Sequence, residues 1–338
     1  MNEELPKIVS VDDHVVEPAH LWQTWLPQKH RALGPHIERR YSAGEQPVGG
    51  GAFKESWAAE GKPVDCWIYE DRLAMVHRRM FAAVGFPRDE MKPLAMSYDE
   101  MRPGCYEPKA RLADMDDNWV EASLCFPTFP RFCGQTFLEG KDHELGLACV
   151  RAYNDWMVEE WCGDSGGRLV PLIIIPLWDA RLAADEIHRN AERGARAVTF
   201  CEIPPNLGLP SIHSGEWDPF FQACDDTGTV INMHVGSSSK MPATGPDAPA
   251  AVALTLTFGN AMSSLADWLF SGKLNQFPNL RLAYSEGQIG WLPYVLERAD
   301  DVWEQHHAWA GVGGRSPNPR ASPTSARCSA ASSVTDTA

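Results

Sequence analysis

The sequence predicts an α/β fold of the (β/α)8 TIM-barrel type, and three observations carry that prediction. From residue 120 onward, strand and helix patterns alternate at the spacing of βα units. Residues 168–176 (Arg-Leu-Val-Pro-Leu-Ile-Ile-Ile-Pro) are nearly all apolar, as a parallel strand covered on both faces requires. Close to the chain start, the β-branched run Val-Ser-Val-Asp-Asp-His-Val-Val-Glu at 9–17 reads as a first strand ending in a carboxylate and an imidazole.

Taken in order, the first strand spans 7–16. Residues 41–110 break the alternation. They are rich in Gly and Pro, Cys66-Trp67-Ile68-Tyr69 is their one clear strand signal, and they read as an insertion able to cover the barrel mouth. A short apolar strand follows at 120–127. Apolar residues at 145, 148, 149, 152, 153, 156 and 157 then mark one face of a helix over 143–161. After the strand at 168–176, Asp179 caps a helix that closes at Gly194, and 195–201 is the next strand. Asp218-Pro219 reads as an N-cap with proline at the first helical position, and Gly228 ends that helix. Strands at 229–236 and 280–286 come next, and an amphipathic helix at 291–309 ends the pattern. That makes six strands where eight are expected.

The tail explains the shortfall. Residues 311–338 are rich in Ser, Pro, Thr and Ala without periodicity and read as a disordered, non-native segment. The barrel is therefore expected to be incomplete, with strands seven and eight missing or frameshifted. A shifted reading of back-translated 327–338 allows Met-Phe-Gly-Cys-Phe-Phe-Gly-Asp-Gly-His-Gly. The domain expectation is a barrel over 1–310 with an insertion at about 41–110, then the tail.

Composition narrows the function classes. At 338 residues, 44% hydrophobic and 22% charged, the chain can bury a large core. A net charge of −15 argues against nucleic acid or an anionic membrane as partner. The N-terminal residues carry no secretory signal pattern, and the apolar stretch at 248–270 is interrupted by polar residues. Nine scattered cysteines without a Cys-x-x-Cys pair read as reduced thiols, which places the expectation in the cytoplasm.

Three strand ends carry chemistry. Side chains two apart share a strand face, so Asp12 and His14 point together, with Glu17 just beyond. Asn232 and His234 end the fifth strand in the same way, and Tyr284 and Glu286 the sixth. An isolated histidine is commonly a core residue, but His234 ends a strand in a barrel that already offers two ligands, so it reads as a third. The remaining histidines, at 20, 30, 36, 77, 143, 188, 213, 306 and 307, read as solvated. Arg131, in Phe-Pro-Arg-Phe-Cys-Gly after the second strand, can pair with a substrate carboxylate through its planar fork, or be a solvated loop arginine.

The combination of Asp12-x-His14, His234 and Leu-Arg-Leu-Ala-Tyr-Ser-Glu-Gly-Gln-Ile-Gly-Trp at 280–291 resembles the amidohydrolase-related family. The nearer branch contains aminocarboxymuconate-semialdehyde decarboxylase and the resorcylate and carboxyvanillate decarboxylases. The resemblance implies a metal-dependent enzyme with one divalent ion, zinc by expectation and manganese as the alternative, held by Asp12, His14 and His234. It implies that Glu286 stands where many relatives carry a catalytic histidine, and that an aspartate is due on an eighth strand that the pattern lacks. Strand four carries no lysine, which favours a single metal over two. The implied reaction is non-oxidative decarboxylation of an aromatic or unsaturated carboxylic acid, with hydrolysis of a C–N, C–O or C–C bond as the enzyme alternative and an inactive fragment as the non-enzyme one. The expected partner is a small-molecule carboxylic acid, and a homo-oligomer is compatible with this reading.

Overall fold

The computed structural model describes residues 6–49, 52–312 and 328–330. The chain divides into two units, Met1–Pro171 and Leu172–Ala338.

The first unit opens with β1 (Ile8–Val15). Four strands follow, the first beginning before the stretch 41–110 that the sequence marks as an insertion: β2 (His36–Gly49), β3 (Ala52–Trp57), β4 (Lys62–Tyr69) and β5 (Arg72–Val76). They form an antiparallel sheet of order β3-β2-β4-β5. Only the β4 portion is apolar enough to announce itself, because its residues from Val64 to Tyr69 are buried while β5 is mostly exposed. The β4–β5 turn is Glu70-Asp71 with φ of +50° and +58°, a conformation usually signalled by Asn-Gly, so the hairpin is silent in the sequence.

This sheet shares a core with the βα portion of its unit. The ring of Trp67 on β4 packs 4.9 Å from Phe129 and edge-on, 5.1 Å, to Trp22. His77, expected in solvent, is fully buried beside it. Its Nε2 lies 3.1 Å from the Tyr98 hydroxyl, and burial lowers its pKa to about 4.

β6 (Val120–Pro127) runs parallel to β1, with His14 opposite Phe126. The helix His143–Trp156 starts where the Asp142 carboxylate accepts the Glu144 and Leu145 N–H groups, and it continues as a π-helical turn over Met157–Trp161. The strand expected over 168–176 is two short strands. β7 (Leu169–Val170) pairs with β6 and closes the sheet β1-β6-β7. β8 (Leu172–Ile173) begins the second unit and pairs with a later strand. Pro171 stands between them. It has no N–H to give a ladder, so a continuous apolar run is cut.

In the second unit β8, β9 (Ala197–Phe200), β10 (Val230–His234), β11 (Arg281–Ser285) and β12 (Cys328–Ala330) form one sheet of order β12-β11-β10-β9-β8. Every pairing in it is parallel. The intervening helices include Ala180–Ala191, Asp218–Thr227, Phe258–Ser271 and Leu292–His306. Asp179 caps the first of these as expected, accepting the Arg181 and Leu182 N–H groups. Asp218 does not act as a cap. Trp217 holds that position, and the Asp218 carboxylate binds the Lys273 ammonium and the Gln276 amide instead. Gly228 ends the helix at φ +68°, the left-handed conformation that glycine adopts without strain. Of the tail, Cys328–Ala330 pair with Leu282–Tyr284 of β11. The expectation of disorder for 313–327 and 331–338 lies outside the described residues.

Among the described residues eight cysteines are buried thiols outside any disulfide, and no helix is long and apolar enough to cross a membrane.

Candidate metal centre

In the first unit, strand alternation sorts Asp12, Asp13 and His14 as the sequence indicates. Asp13 is taken up structurally: it accepts from the Ser10 hydroxyl at 2.9 Å, from the Ser123 hydroxyl, and lies 3.8 Å from the Arg111 guanidinium. Asp12 and His14 stand on the other face. Arg111, which the sequence reading passed over, also fixes the backbone here by donating to the His14 carbonyl at 2.7 Å and to the Gly104 carbonyl at 2.6 Å. The His14 ring lies 6.0 Å from both Phe126 and Phe132. Burial in this apolar corner holds its pKa down at about 4, with Asp13 acting to raise it and Arg111 to lower it further. His14 is therefore neutral at pH 7, the form in which imidazole binds a metal.

In the second unit, His234 ends β10 and is buried. Its Nδ1 lies 2.7 Å from the Val235 carbonyl oxygen. A carbonyl can only accept, so Nδ1 carries the proton and Nε2 is the basic nitrogen, an orientation that suits metal ligation through Nε2. Glu286 Oε2 lies 3.9 Å from that Nε2. Glu286 sits one residue past β11 with φ +55°, so strand alternation does not place it. Tyr284, expected on the same face, is buried with its hydroxyl 3.0 Å from Ser264 Oγ. Asn232 likewise serves the core, donating to the Val230 carbonyl at 3.0 Å. Burial raises the Glu286 pKa from the ordinary carboxylate value.

Two buried carboxyl groups border these elements. Glu202, just beyond β9, has its N–H bonded to Ser237 Oγ at 2.9 Å, in the turn that follows His234, and burial pushes its pKa up to about 8. Glu17 lies three residues after His14 and is fully buried. The signal for both was a glutamate directly after an apolar strand, and at Glu17 the sequence reading noted it without assigning a role. Arg131 lies on the turn after β6 with φ +61° and is ion-paired to Glu139 at 2.6 Å.

The donors in each unit are of the kind a divalent ion takes: in the first a carboxylate and an imidazole held neutral by burial, in the second an imidazole with its tautomer fixed and a carboxylate, the borderline N and O groups that zinc and manganese accept. A family model for amidohydrolases matches residues 19–332. The chain belongs to the amidohydrolase family. No curated protein matches it. Among solved structures, this amidohydrolase is similar to an amidohydrolase of Mycobacterium avium subsp. paratuberculosis K-10, at 18% identity and TM-score 0.65, over 98% of this chain and 85% of that one. It is similar to a dihydroxybenzoic acid decarboxylase of Polaromonas sp. JS666 carrying manganese and 2-nitroresorcinol, at 13% identity and TM-score 0.56, over 97% and 79%. It is also similar to the 5-carboxyvanillate decarboxylase of Sphingomonas paucimobilis, at 20% identity and TM-score 0.50, over 67% and 65%. At these identities the likeness shows a shared fold.

Proposed function

We propose that this amidohydrolase is a single-metal enzyme that decarboxylates a planar aromatic or unsaturated carboxylic acid without oxidation. Asp12, His14 and His234 are the residues that would hold the ion, and Glu286 is the proton carrier. The observation that carries this reading is the placement of Glu286: a carboxyl raised in pKa by burial, 3.9 Å from the basic nitrogen of His234. The chemistry a bound divalent ion supplies is Lewis-acid polarisation and orientation of a substrate carboxylate.

The side chains supply the rest. Phe126 and Phe132 flank His14 with ring faces and edges suited to a planar substrate. Arg131 can exchange its exposed pairing with Glu139 for a substrate carboxylate. In the reaction the bond from the ring or alkene carbon to the carboxylate breaks, its electron pair stays on carbon, and CO2 departs. That carbon takes the proton from the Glu286 carboxyl, and solvent restores it. Burial moves this carboxyl toward its protonated form, the direction a general acid needs.

The same 3.9 Å contact supports a second reading, in which Glu286 is a fourth metal ligand. In that case the proton comes from elsewhere. The localisation proposal remains the cytoplasm, resting on the cysteine usage alone.

The test is a panel of hydroxybenzoates, 2,6-dihydroxybenzoate included, given to protein loaded with Mn2+ or Zn2+. CO2 release with the matching phenol as product is the expected result. Turnover of an amide or ester panel with no CO2 from any acid would replace decarboxylation by hydrolysis.

A further inference from the structure

Glu17 is a fully buried carboxyl of the first unit whose two oxygens each hold a different backbone amide. Oε1 accepts the Thr128 N–H at 2.9 Å and Oε2 the Phe129 N–H at 2.8 Å. The Thr128 hydroxyl donates to the Val15 carbonyl at 2.8 Å, so the turn is tied twice to the chain leaving β1. The Glu17 backbone is itself pinned, because the Tyr98 hydroxyl donates to its carbonyl at 2.6 Å. The far side of the turn is closed by the Thr136 hydroxyl bonding the Phe129 carbonyl at 2.7 Å. Between these ties lie Arg131, in the left-handed conformation, and Phe132, whose ring meets His14 edge-on.

We propose that Glu17 is a positioning residue that clamps the turn 128–134 and thereby holds Phe132 against His14 and sets Arg131 for the carboxylate of a planar aromatic acid. The proposal rests on the aromatic-acid reading above for the identity of the ligand, and on the two carboxylate–amide bonds for the clamp. A carboxylate offers acceptors at both oxygens, whereas a carboxamide or a protonated carboxyl offers one good acceptor and turns a donor toward the other amide. The titratable groups facing Glu17 are the phenols of Tyr98 and Tyr153, with His77 one hydrogen bond further on through Tyr98. Burial raises the Glu17 pKa to about 7 against the pull of the two amides, so the clamp tightens as pH rises through neutrality.

The experiment measures hydrogen-exchange protection of the Thr128 and Phe129 amides in the full chain loaded with Mn2+, at pH 6 and pH 8, in wild type and Glu17→Gln. It also measures the affinity of each for 2,6-dihydroxybenzoate at pH 8. In wild type, protection at these amides should fall about tenfold from pH 8 to pH 6, the scale of losing one hydrogen bond to a charged acceptor. In Glu17→Gln it should be low at both pH values, and affinity for the acid should fall about tenfold with one Mn2+ retained per chain. The wild-type pH series needs no variant, so the clamp stays testable if Glu17→Gln fails to fold. Equal protection at both pH values overturns the clamp. Lost protection with unchanged affinity overturns the positioning role and leaves Glu17 a purely structural tie. Failure of wild type to bind the acid while protection still tracks pH overturns the aromatic-acid reading, and with it this role for the turn.

Discussion

His234→Ala is expected to take the metal content from about one divalent ion per chain to near none. His234 is buried at the end of β10, its Nδ1 proton is committed to the Val235 carbonyl, and Nε2 is the basic nitrogen. On the proposed assignment, removing it deletes one of the ion's two neutral donors, and among the described residues no other imidazole stands at a strand end of the second unit's sheet. Loss of one protein ligand from a three-ligand site abolishes the geometry that a catalytic metal requires. Metal analysis after dialysis reads the effect directly, with a thermal melt to confirm that the variant is folded. Full metal occupancy in a folded His234→Ala protein would refute the assignment of the centre.

Glu286→Gln carries the second large effect. If Glu286 delivers the proton, turnover should fall by roughly 10²-fold or more, the usual scale for a positioned acid, while metal content stays at the wild-type level. The wild-type rate should also fall as pH rises through the raised Glu286 pKa, because the acid works only while it holds its proton and burial moves that titration upward. The variant should lose this limb of the pH profile. A Glu286→Gln protein that loses metal, and recovers activity in excess metal, would make Glu286 a ligand and leave the proton source elsewhere.

How much of this was legible in the sequence differs by element. The parallel strands of the second unit announced themselves because strands covered on both faces must be apolar, and His234 stood out as a polar group at the end of such a run. By contrast, β1 is exposed or half-buried up to His14 and was marked by the β-branched residues before Asp12 and His14. The antiparallel sheet stayed hidden because β2 carries Glu38, Arg39 and Arg40 in sequence, and because Glu70-Asp71 makes its turn without glycine or asparagine. Pro171 was visible, yet the apolar residues around it outweighed it, although a missing N–H cuts a ladder regardless of hydropathy. Tyr284 and Glu286 were paired by strand periodicity, which ceases to apply one residue past β11. Asp218 looked like a cap because its sequence position suited one, but a lysine far along the chain offered its carboxylate a charged partner.

Buried His77 and buried Glu17, joined through the Tyr98 hydroxyl, have a consequence for the proton inventory of folding. His77 has its pKa lowered from 6.5 to about 4, so between those values the unfolded chain holds a proton that the folded one lacks, and acid erodes stability. Glu17 has its pKa raised from 4.5 to about 7, so over that window the folded chain holds the extra proton, and stability falls instead as pH rises. Each effect amounts to about 3 kcal/mol across its range. From about pH 4.5 to 6.5 the two windows overlap with opposite sign, and folding sheds one proton at the imidazole while taking up one at the carboxyl. With respect to this pair the first unit is internally buffered, and its stability should stay nearly level across mild acid. Replacing His77 with a residue that does not titrate would leave the Glu17 slope alone, and denaturant unfolding at pH 5 and pH 6.5 would show stability falling as pH rises.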